Sequence, residues 1–213
     1  FGWAGIFIAE FIGYDRMMAI DDACLTSLFQ SITCRTAGFN TLDIGSMTNV
    51  SLILLLFLMF IGGAPGSCAG GIKITTFRVL LASIESELRG QKQPRIGKFA
   101  LSNDTVKKAM TLFVIAIVII FLALFLMDLT EGGDMPHHRV RGQFLELLFE
   151  AVSAFCTVGL STGLTAKLTV CGKWIVIVLM FIGRIGPLFL IHTLQSIESP
   201  KFYKLPEENI MIG

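Results

Sequence analysis

The sequence predicts an all-α polytopic membrane protein made of two tandem repeats, each a helix, a short re-entrant helix, a non-helical loop and a second helix. Three observations lead to this fold class: an apolar composition, long runs without charge, and an internal repeat. Of the 213 residues, 54% are hydrophobic and only 15% are charged. In ordinary water-soluble domains about a quarter of the residues are charged. The chain is therefore expected to lie in a bilayer.

The clearest membrane span is the uncharged run 109–127, AMTLFVIAIVIIFLALFLM. At about 1.5 Å rise per residue it covers roughly 28 Å of bilayer core, and it should be helical because lipid offers open backbone no partners. Further spans are predicted over about 173–192 and from about 47 into a glycine-rich segment. The apolar run 1–12 is too short to cross and is interpreted as the end of a span that begins before this sequence.

The charged residues are distributed asymmetrically around these spans. Segment 73–108 carries eight lysines and arginines against three acidic residues, whereas 128–141 carries two arginines against three acidic residues. The positive-inside rule places the first segment in the cytoplasm and the second outside. A basic loop can also bind nucleic acid, but beside membrane spans the topological interpretation is favoured, so no nucleic-acid partner is expected.

An internal repeat relates the two halves of the chain. Placing Thr36 on Thr157, at an offset of 121, also aligns Gly38 with Gly159, Thr41 with Thr162, and LMFIG at 58–62 with LMFIG at 179–183. Upstream of each Thr-x-Gly turn lies a helical pattern too short to span, which is typical of a re-entrant pore helix.

These patterns predict two domains. The first repeat covers 1–102, with pore helix 21–34, a loop at 35–40 (the first loop) and a broken inner helix 47–90 that leads into the basic cytoplasmic segment. The second repeat covers 103–213, with outer helix 103–129, pore helix 142–156, a loop at 157–161 (the second loop), inner helix 172–195 and a cytoplasmic tail.

Both loops should line a wet cavity. Unpaired carbonyls in lipid cost several kcal/mol each unless they face water or bind something. Glycine can turn successive carbonyls toward one axis, and a helix ending there directs its partly negative C-terminus to the same place. Together these features favour a desolvated monovalent cation held by carbonyls. The alternative is a pair of ordinary interhelical loops.

The glycine-rich segment GGAPGSCAGG at 62–71, named here the glycine cassette, is predicted to be non-helical. A phosphate-binding loop would need the pattern G-x-x-x-x-G-K-[ST] after a strand, but Ile72 separates the last glycine from Lys73 and a span precedes it. Each glycine lowers helix propensity by about 1 kcal/mol, and Pro65 removes a donor. The cassette is therefore expected to unwind below the first loop, on the cytoplasmic side, as a movable plug.

Arg184 interrupts an apolar span at the position equivalent to Gly63. An ionisable residue at that depth costs about 2.5 kcal/mol or more unless it faces water or a partner, and its charge would oppose the passage of a cation. The alternative is a structural pairing with Glu146 or Glu150. Lys73 is expected to extend toward the cytoplasmic interface.

No pattern indicates an enzyme. His137 and His138 are a weak metal signal, the five cysteines form no CxxC pair and are interpreted as small apolar residues, and no hydroxyl has a histidine partner in a nucleophile pattern. Neither a cofactor nor a transition metal is expected.

The chain resembles the Trk/Ktr/HKT superfamily of potassium transporters. The segments RTAGFNT and LMFIGGAPGSCAGGIKITTF are similar to the third of that family's four repeats, and FCTVGLSTG and LMFIGRIGP to the fourth. The resemblance implies the C-terminal half of a pore-forming subunit of the TrkH or KtrB type, closer to the Ktr branch, which takes up K⁺ across the bacterial inner membrane. It also implies a homodimer and a cytoplasmic nucleotide-binding regulatory subunit of the TrkA or KtrA type.

The resemblance assigns roles to individual residues. Those matching the family's selectivity filter, and so expected to bind K⁺, are Thr36, Ala37, Gly38, Phe39, Thr157, Val158, Gly159 and Leu160. Those matching its gate are Gly62, Gly63, Gly66, Ser67, Cys68, Ala69, Gly70, Gly71 and Arg184.

Two alternatives to K⁺ uptake stay open. Asn40 and Ser161 stand where a potassium channel has its second filter glycine, which leaves a Na⁺-permeable member of the superfamily possible, although glycine at 38 and 159 favours K⁺. A four-sided filter needs four loops and this sequence shows two. A non-conducting scaffold or assembly component is therefore the second alternative, and a truncated chain is the favoured explanation.

Overall fold

The computed structural model describes residues 2–12, 19–67, 69–91, 93–132 and 142–186. These residues form seven α-helices and one short hairpin. In chain order the elements are α1 (Gly2–Phe7, continued by a π-helical turn Ile8–Ile12), α2 (Ile20–Thr33), α3 (Asn49–Phe60), α4 (Ile74–Leu88), β1 (Arg95–Ile96), β2 (Phe99–Ala100), α5 (Asn103–Glu131), α6 (Gln143–Phe155) and α7 (Val170–Ile185). Short 3₁₀ turns at Ile44–Ser46 and Thr165–Lys167 precede α3 and α7.

The helices lie where the sequence predicted them, with small differences at their ends. Helices α2 and α6 occupy the predicted pore-helix segments 21–34 and 142–156, and α5 occupies the predicted outer helix 103–129. Helix α7 begins two residues before the predicted start at 172, and 187–195 lies outside the described residues.

Among the described residues, α5 alone is long and apolar enough to cross a membrane, judged by its length and composition. The Ser102 hydroxyl begins it by accepting a hydrogen bond from the Thr105 amide, as N-cap residues do. Its apolar side chains include Val118, Phe121 and Phe125, which are more than half exposed in the chain. Helix α3 and the run Gly2–Phe11 are apolar but shorter.

Helix α6 forms the centre of the core. It contacts α3, α5 and α7, and its Leu147, Phe149 and Phe155 are completely buried. Burying one such side chain stabilises the fold by about 1.5–3 kcal/mol. The loop that follows α6 is therefore attached to the best-packed element of the described chain.

The two halves share backbone features at the offset of 121 residues. The 3₁₀ turns and the first residues of α3 and α7 stand at this spacing. So do the N-cap residues Thr48 and Thr169, whose hydroxyls accept hydrogen bonds from the amides of Ser51 and Gly172. This Thr48–Thr169 identity belongs to the aligned register, and sequence reasoning missed it.

Each of these caps is also held by a carboxylate from the preceding helix. Glu10 accepts hydrogen bonds from the Thr48 amide at 2.8 Å and from its hydroxyl at 3.0 Å. Glu131 accepts from the Thr169 amide at 3.0 Å and from its hydroxyl at 2.6 Å. A carboxylate at a helix N-terminus is stabilised by the helix dipole. The end of the first helix in each half thus fixes the start of the inner helix.

The glycine cassette interrupts the helix predicted over 47–90. Helix α3 ends at Phe60 and α4 begins at Ile74, with an isolated parallel bridge between Ile61 and Ile72. The Gly62 amide donates to the Ile72 carbonyl at 2.8 Å, which closes the base of the cassette. The prediction of a non-helical cassette is confirmed for its described residues, and Cys68 lies outside them.

Candidate functional site

The first and second loops begin with an uncommon backbone conformation. Thr36 and Thr157 have φ of 71° and 53°, in the left-handed region, which costs a residue with a side chain about 1–3 kcal/mol. Gly38 and Gly159 follow with φ of 74° and 89°, which glycine adopts readily. The same strain occurs twice at the repeat offset. Such strain persists only where the surrounding structure enforces it, and it is concentrated at functional sites.

The two loops contact each other at their glycines. A Cβ added at Gly159 would lie 3.9 Å from the Gly38 Cα, and one added at Gly38 would overlap the Val158 carbonyl oxygen. No side chain fits at Gly38 without moving the second loop. The structure therefore brings these filter positions, predicted from the two halves of the sequence, into one place.

The side chains of the predicted filter residues differ in their surroundings. Val158 and Leu160 are buried, whereas Phe39 is 70% exposed and Ala37 is also exposed. The second loop is thus anchored in the core by its side chains. The first loop is held mainly through its backbone.

A threonine from α2 holds the first loop. The Thr33 hydroxyl donates to the Phe39 carbonyl and accepts from the Phe39 amide, both at 2.8 Å. Thr33 is only 2% exposed, so these bonds are shielded from water and fix the loop relative to the helix end.

A buried carboxylate from α6 holds the second loop. Glu150, 4% exposed, accepts hydrogen bonds from the hydroxyls of Ser161 and Thr165 at 2.5 and 2.6 Å and from the Thr162 amide at 3.2 Å. Charge-assisted bonds of this kind are about twice as strong as neutral ones. Sequence reasoning had considered Glu150 only as a partner for Arg184, although an acidic residue in a mostly apolar helix was a usable signal.

Arg35 links the first loop to the cassette, a role that sequence reasoning missed. Its guanidinium donates to the carbonyls of Ile61 and Gly62, both at 3.0 Å. These carbonyls lie where α3 unwinds, so they lack the intrahelical partners of a continuous helix. An arginine immediately after a predicted pore helix was the signal that could have revealed the contact.

The cassette lies against the second loop. The Gly70 amide donates to the Thr157 hydroxyl at 3.1 Å, and a Cβ added at Gly70 would lie 2.7 Å from the Cys156 carbonyl oxygen. The described cassette and a predicted filter threonine are therefore in direct contact, which requires glycine at 70.

Lys73 forms hydrogen bonds with the cassette that precedes it, a contact that sequence reasoning missed. Its ammonium donates to the carbonyls of Ala69 and Ser67 at 2.5 and 3.0 Å. These carbonyls are available because the unwound backbone gives them no helical partners. The position of Lys73 at the cytoplasmic interface stays a prediction. Lys73 thus holds the cassette in its folded form.

Arg184 lies between the cassette and the second loop. It lines a cavity of about 340 Å³ together with Ser67, Ala69, Gly70 and Gly71. It also lines a cavity of about 400 Å³ together with Glu150, Thr157 and Gly159. The structure therefore brings Arg184 together with both groups of predicted site residues.

No group of three histidine, cysteine, aspartate or glutamate side chains that could hold a metal ion occurs in the part of the chain that the structure describes. His137, His138 and His192 lie outside that part. Cys34 and Cys156 are buried free cysteines and pack as small apolar residues.

The described chain is therefore mostly helical, with two strained loops in contact and an unwound cassette packed against the second loop. The TrkH family model, described as a cation transport protein, matches residues 5–205. The chain therefore belongs to the TrkH family of cation transport proteins.

Two relatives and one solved structure illustrate the match. The chain is 40% identical to Ktr system potassium uptake protein B of Bacillus subtilis, over 98% of this chain and 45% of that protein. It is 38% identical to potassium/sodium uptake protein NtpJ of Enterococcus hirae, over 88% of this chain and 41% of that protein.

The structure also superposes on the crystal structure of the potassium transporter TrkH from Vibrio parahaemolyticus. The superposition covers 95% of the present chain and 42% of the TrkH chain, with a TM-score of 0.73 and 23% sequence identity. At that identity the match shows a shared fold. The chain spans less than half the length of each of these three proteins.

Proposed function

We propose that the chain forms two sides of the K⁺ pathway in the pore-forming subunit of a Trk/Ktr-type uptake system. The observation that carries this proposal is the contact between two loops with the same left-handed residues, Thr36 to Gly38 and Thr157 to Gly159. Left-handed backbone at a threonine and at the following glycine turns carbonyls out of the helical direction. Such carbonyls are suited to replace the hydration shell of a monovalent cation.

The helices that precede the loops support cation binding. Helices α2 and α6 end at Thr33 and Phe155, directly before the first and second loops. The C-terminus of a helix carries about half a negative charge. Two such ends beside one site would stabilise K⁺ there. Because the matched relatives are more than twice as long as their aligned region, we infer that further loops complete the filter in the full-length protein.

The cassette, Lys73 and Arg184 form the gate in this proposal. A cation leaving the level of Thr157 meets Gly70 and enters the cavity that Arg184 lines. The guanidinium opposes the cation electrostatically in that low-dielectric space. Opening requires the Gly70–Thr157 bond and the two Lys73 bonds to break. The neutral bond contributes about 0.5–1.5 kcal/mol, and each bond from the charged ammonium about 1.5–3 kcal/mol. A few kcal/mol is a cost that a regulatory partner can supply.

We propose a bacterial inner-membrane location, with α5 crossing the bilayer and 73–108 facing the cytoplasm. The word "system" in the name of the Bacillus subtilis relative supports a multi-component assembly. A homodimer of pore subunits and a nucleotide-binding regulatory subunit of the TrkA or KtrA type complete the proposal. K⁺ is the transported ion, and no cofactor is assigned to this chain.

A Na⁺-permeable pore is the second candidate, because one relative at 38% identity is named a potassium/sodium uptake protein. Ser161, at the end of the second loop, also stands where a potassium channel has its second filter glycine. This departure weakens the argument for strict selection of K⁺ over Na⁺. A non-conducting scaffold is the third candidate and predicts that the strained loops can be changed without loss of transport.

Growth of a K⁺-uptake-deficient bacterium at low K⁺ tests the proposal. The full-length protein, expressed with its regulatory subunit, is expected to restore growth, and a blot of the membrane fraction controls for expression. Uptake of Na⁺ by the same cells at a rate comparable to that of K⁺ would favour the second candidate. Failure to restore growth despite membrane expression would contradict a K⁺ pathway.

A further inference from the structure

A polar cavity lies at the end of α4 distant from the cassette. It has a volume of about 240 Å³ and is bounded by α4, the turn after it and β1. Arg78, Arg89 and Arg95 all line it, together with Glu85. None of these residues belongs to the filter or the gate, and the charged lining is not explained by ion conduction.

The local fold brings the three arginines together. Residue 85 follows 78 by seven positions and 89 follows 85 by four, so all three share one face of α4 and its C-cap. After α4 the chain reverses, because the Gln91 amide donates to the Ser86 carbonyl at 2.9 Å and the buried Ser86 hydroxyl donates to the Gln91 carbonyl at 3.1 Å. The hairpin then returns Arg95 to the face of α4 that carries the other two.

The cavity carries an excess of positive charge. Arg89 pairs with Glu85 at 2.8 Å. Within the described residues, Arg78 and Arg95 have no carboxylate partner. Two arginines that share a water-accessible cavity suit a phosphate group, because the guanidinium presents several donors in a planar fork that matches phosphate oxygens.

An apolar stripe runs beside this arginine face. Leu81, Ile84 and Leu88 are 42%, 55% and 84% exposed. At 3.6 residues per turn, Leu81 and Leu88 lie about 60–80° around α4 from the line of 78, 85 and 89, and Ile84 lies about 120° from it. A soluble phosphate compound buries no apolar surface against that stripe, whereas an acyl chain that packs on it does bury apolar surface.

We propose that this cavity binds the phosphate of an anionic phospholipid at the cytoplasmic surface of the membrane. Arg78 and Arg95 contact the phosphate oxygens, and Leu81 and Leu88 contact the acyl chain. The proposal requires only the cytoplasmic orientation of 73–108 and does not depend on which ion the pore carries.

The test titrates the purified full-length protein in detergent with short-chain phosphatidylglycerol, with phosphatidylcholine of the same chains, and with inorganic phosphate. The wild type is expected to bind phosphatidylglycerol more tightly than either of the others. The double variant Arg78→Gln/Arg95→Gln should weaken that binding about tenfold or more, since each basic residue near an anionic headgroup contributes about 1 kcal/mol. The control Lys107→Gln/Lys108→Gln removes the same charge from exposed residues at the start of α5 that do not line the cavity. It should leave the affinity for phosphatidylglycerol within about twofold of the wild type.

A second variant tests the same site without altering its charge. Leu88→Ser changes an 84% exposed side chain, so the fold should be unaffected. It should weaken binding of phosphatidylglycerol and leave binding of inorganic phosphate unchanged. Three results would overturn the proposal: equal losses in the arginine and lysine variants, no effect of Leu88→Ser, or arginine-dependent binding of inorganic phosphate without a preference for phosphatidylglycerol. Growth at low K⁺ is measured separately, so these results are distinct from failure of the transport proposal.

Discussion

Thr157 belongs to two parts of the site at once. Its left-handed φ of 53° opens the second loop, and its hydroxyl accepts the Gly70 amide of the cassette at 3.1 Å. A shift of the cassette therefore changes the surroundings of a residue proposed to bind the ion. In the proposed pore, this one residue would couple the cassette to the second loop.

Glu150 is the residue that fixes the shape of the second loop, and its charge is expected to matter. Glu150→Gln keeps the size of the side chain but weakens three hydrogen bonds to Ser161, Thr162 and Thr165. Loss of charge assistance at a buried acceptor should lower the unfolding free energy by about 1–3 kcal/mol. We expect a lower thermal midpoint of the full-length protein and a weaker preference for K⁺ over Na⁺.

The matched control for this change is Glu146→Gln, one helical turn earlier on α6 and less buried. It should leave both measurements close to wild type. Equal effects of the two substitutions would show that Glu150 has no special role in holding the loop.

At the scale of the element, the cassette is held by few bonds. Lys73→Met removes both bonds from the ammonium to the Ala69 and Ser67 carbonyls while keeping the length of the side chain. Each bond to a charged donor contributes about 1.5–3 kcal/mol. The cassette should therefore leave its closed position more often, and the K⁺ flux into proteoliposomes should rise severalfold.

Lys107→Met is the control for that measurement, because Lys107 is exposed on α5 and the described bonds to the cassette carbonyls come from Lys73. A flux in Lys73→Met equal to that of the control, or below it, would contradict the latch role of Lys73.

Helix α2 carries a polar side chain with no apparent function. Gln30 is completely buried, and its Nε2 and Oε1 have no hydrogen-bond partner among the described residues. A buried amide without partners costs about 1–3 kcal/mol. Gln30→Met should therefore raise the thermal midpoint of the full-length protein.

Gln143→Met provides the opposite case. The Gln143 Nε2 donates to the Glu131 carbonyl at 3.2 Å, so the same substitution there should lower the midpoint. A decrease in both variants would indicate that Gln30 has a partner in the full-length protein.

Local elements were predictable from the sequence, and contacts between distant residues were not. Helices α2 and α6 follow from apolar patterns of limited length, and the unwound cassette follows from five glycines and a proline. The bonds from Lys73 to the cassette and from Glu150 to the second loop depend on backbone directions that composition does not contain. The Glu10–Thr48 and Glu131–Thr169 bonds each span 38 residues. All four residues nevertheless stand at the 121-residue offset, so a longer alignment of the repeat would have revealed both pairs.

At the scale of the whole molecule, the two halves place equivalent loops in contact. The repeat offset relates the strained threonines, the loop glycines and the capped inner helices. The two halves differ in the side chain that anchors each loop. The Thr33 hydroxyl holds the first loop, and the Glu150 carboxylate holds the second. Because Val158 and Leu160 are buried and Phe39 is exposed, polar substitutions of the side chains are expected to be tolerated less well in the second loop than at Phe39 in the first.

The central claim is that the paired glycine loops select K⁺, and the most direct measurement is the K⁺ and Na⁺ flux of the reconstituted full-length protein with a serine in the second loop. Gly159 and Gly163 have nearly equal φ of 89° and 94°, and a Cβ at either position meets no atom closer than 3.9 Å. Gly159→Ser and Gly163→Ser thus impose the same strain, but only the first lies at a filter position. The account predicts that Gly159→Ser lowers the preference for K⁺ about tenfold, equivalent to about 1.4 kcal/mol, while Gly163→Ser retains it. Equal preferences in the two variants, or no K⁺ flux in the wild type, would contradict it.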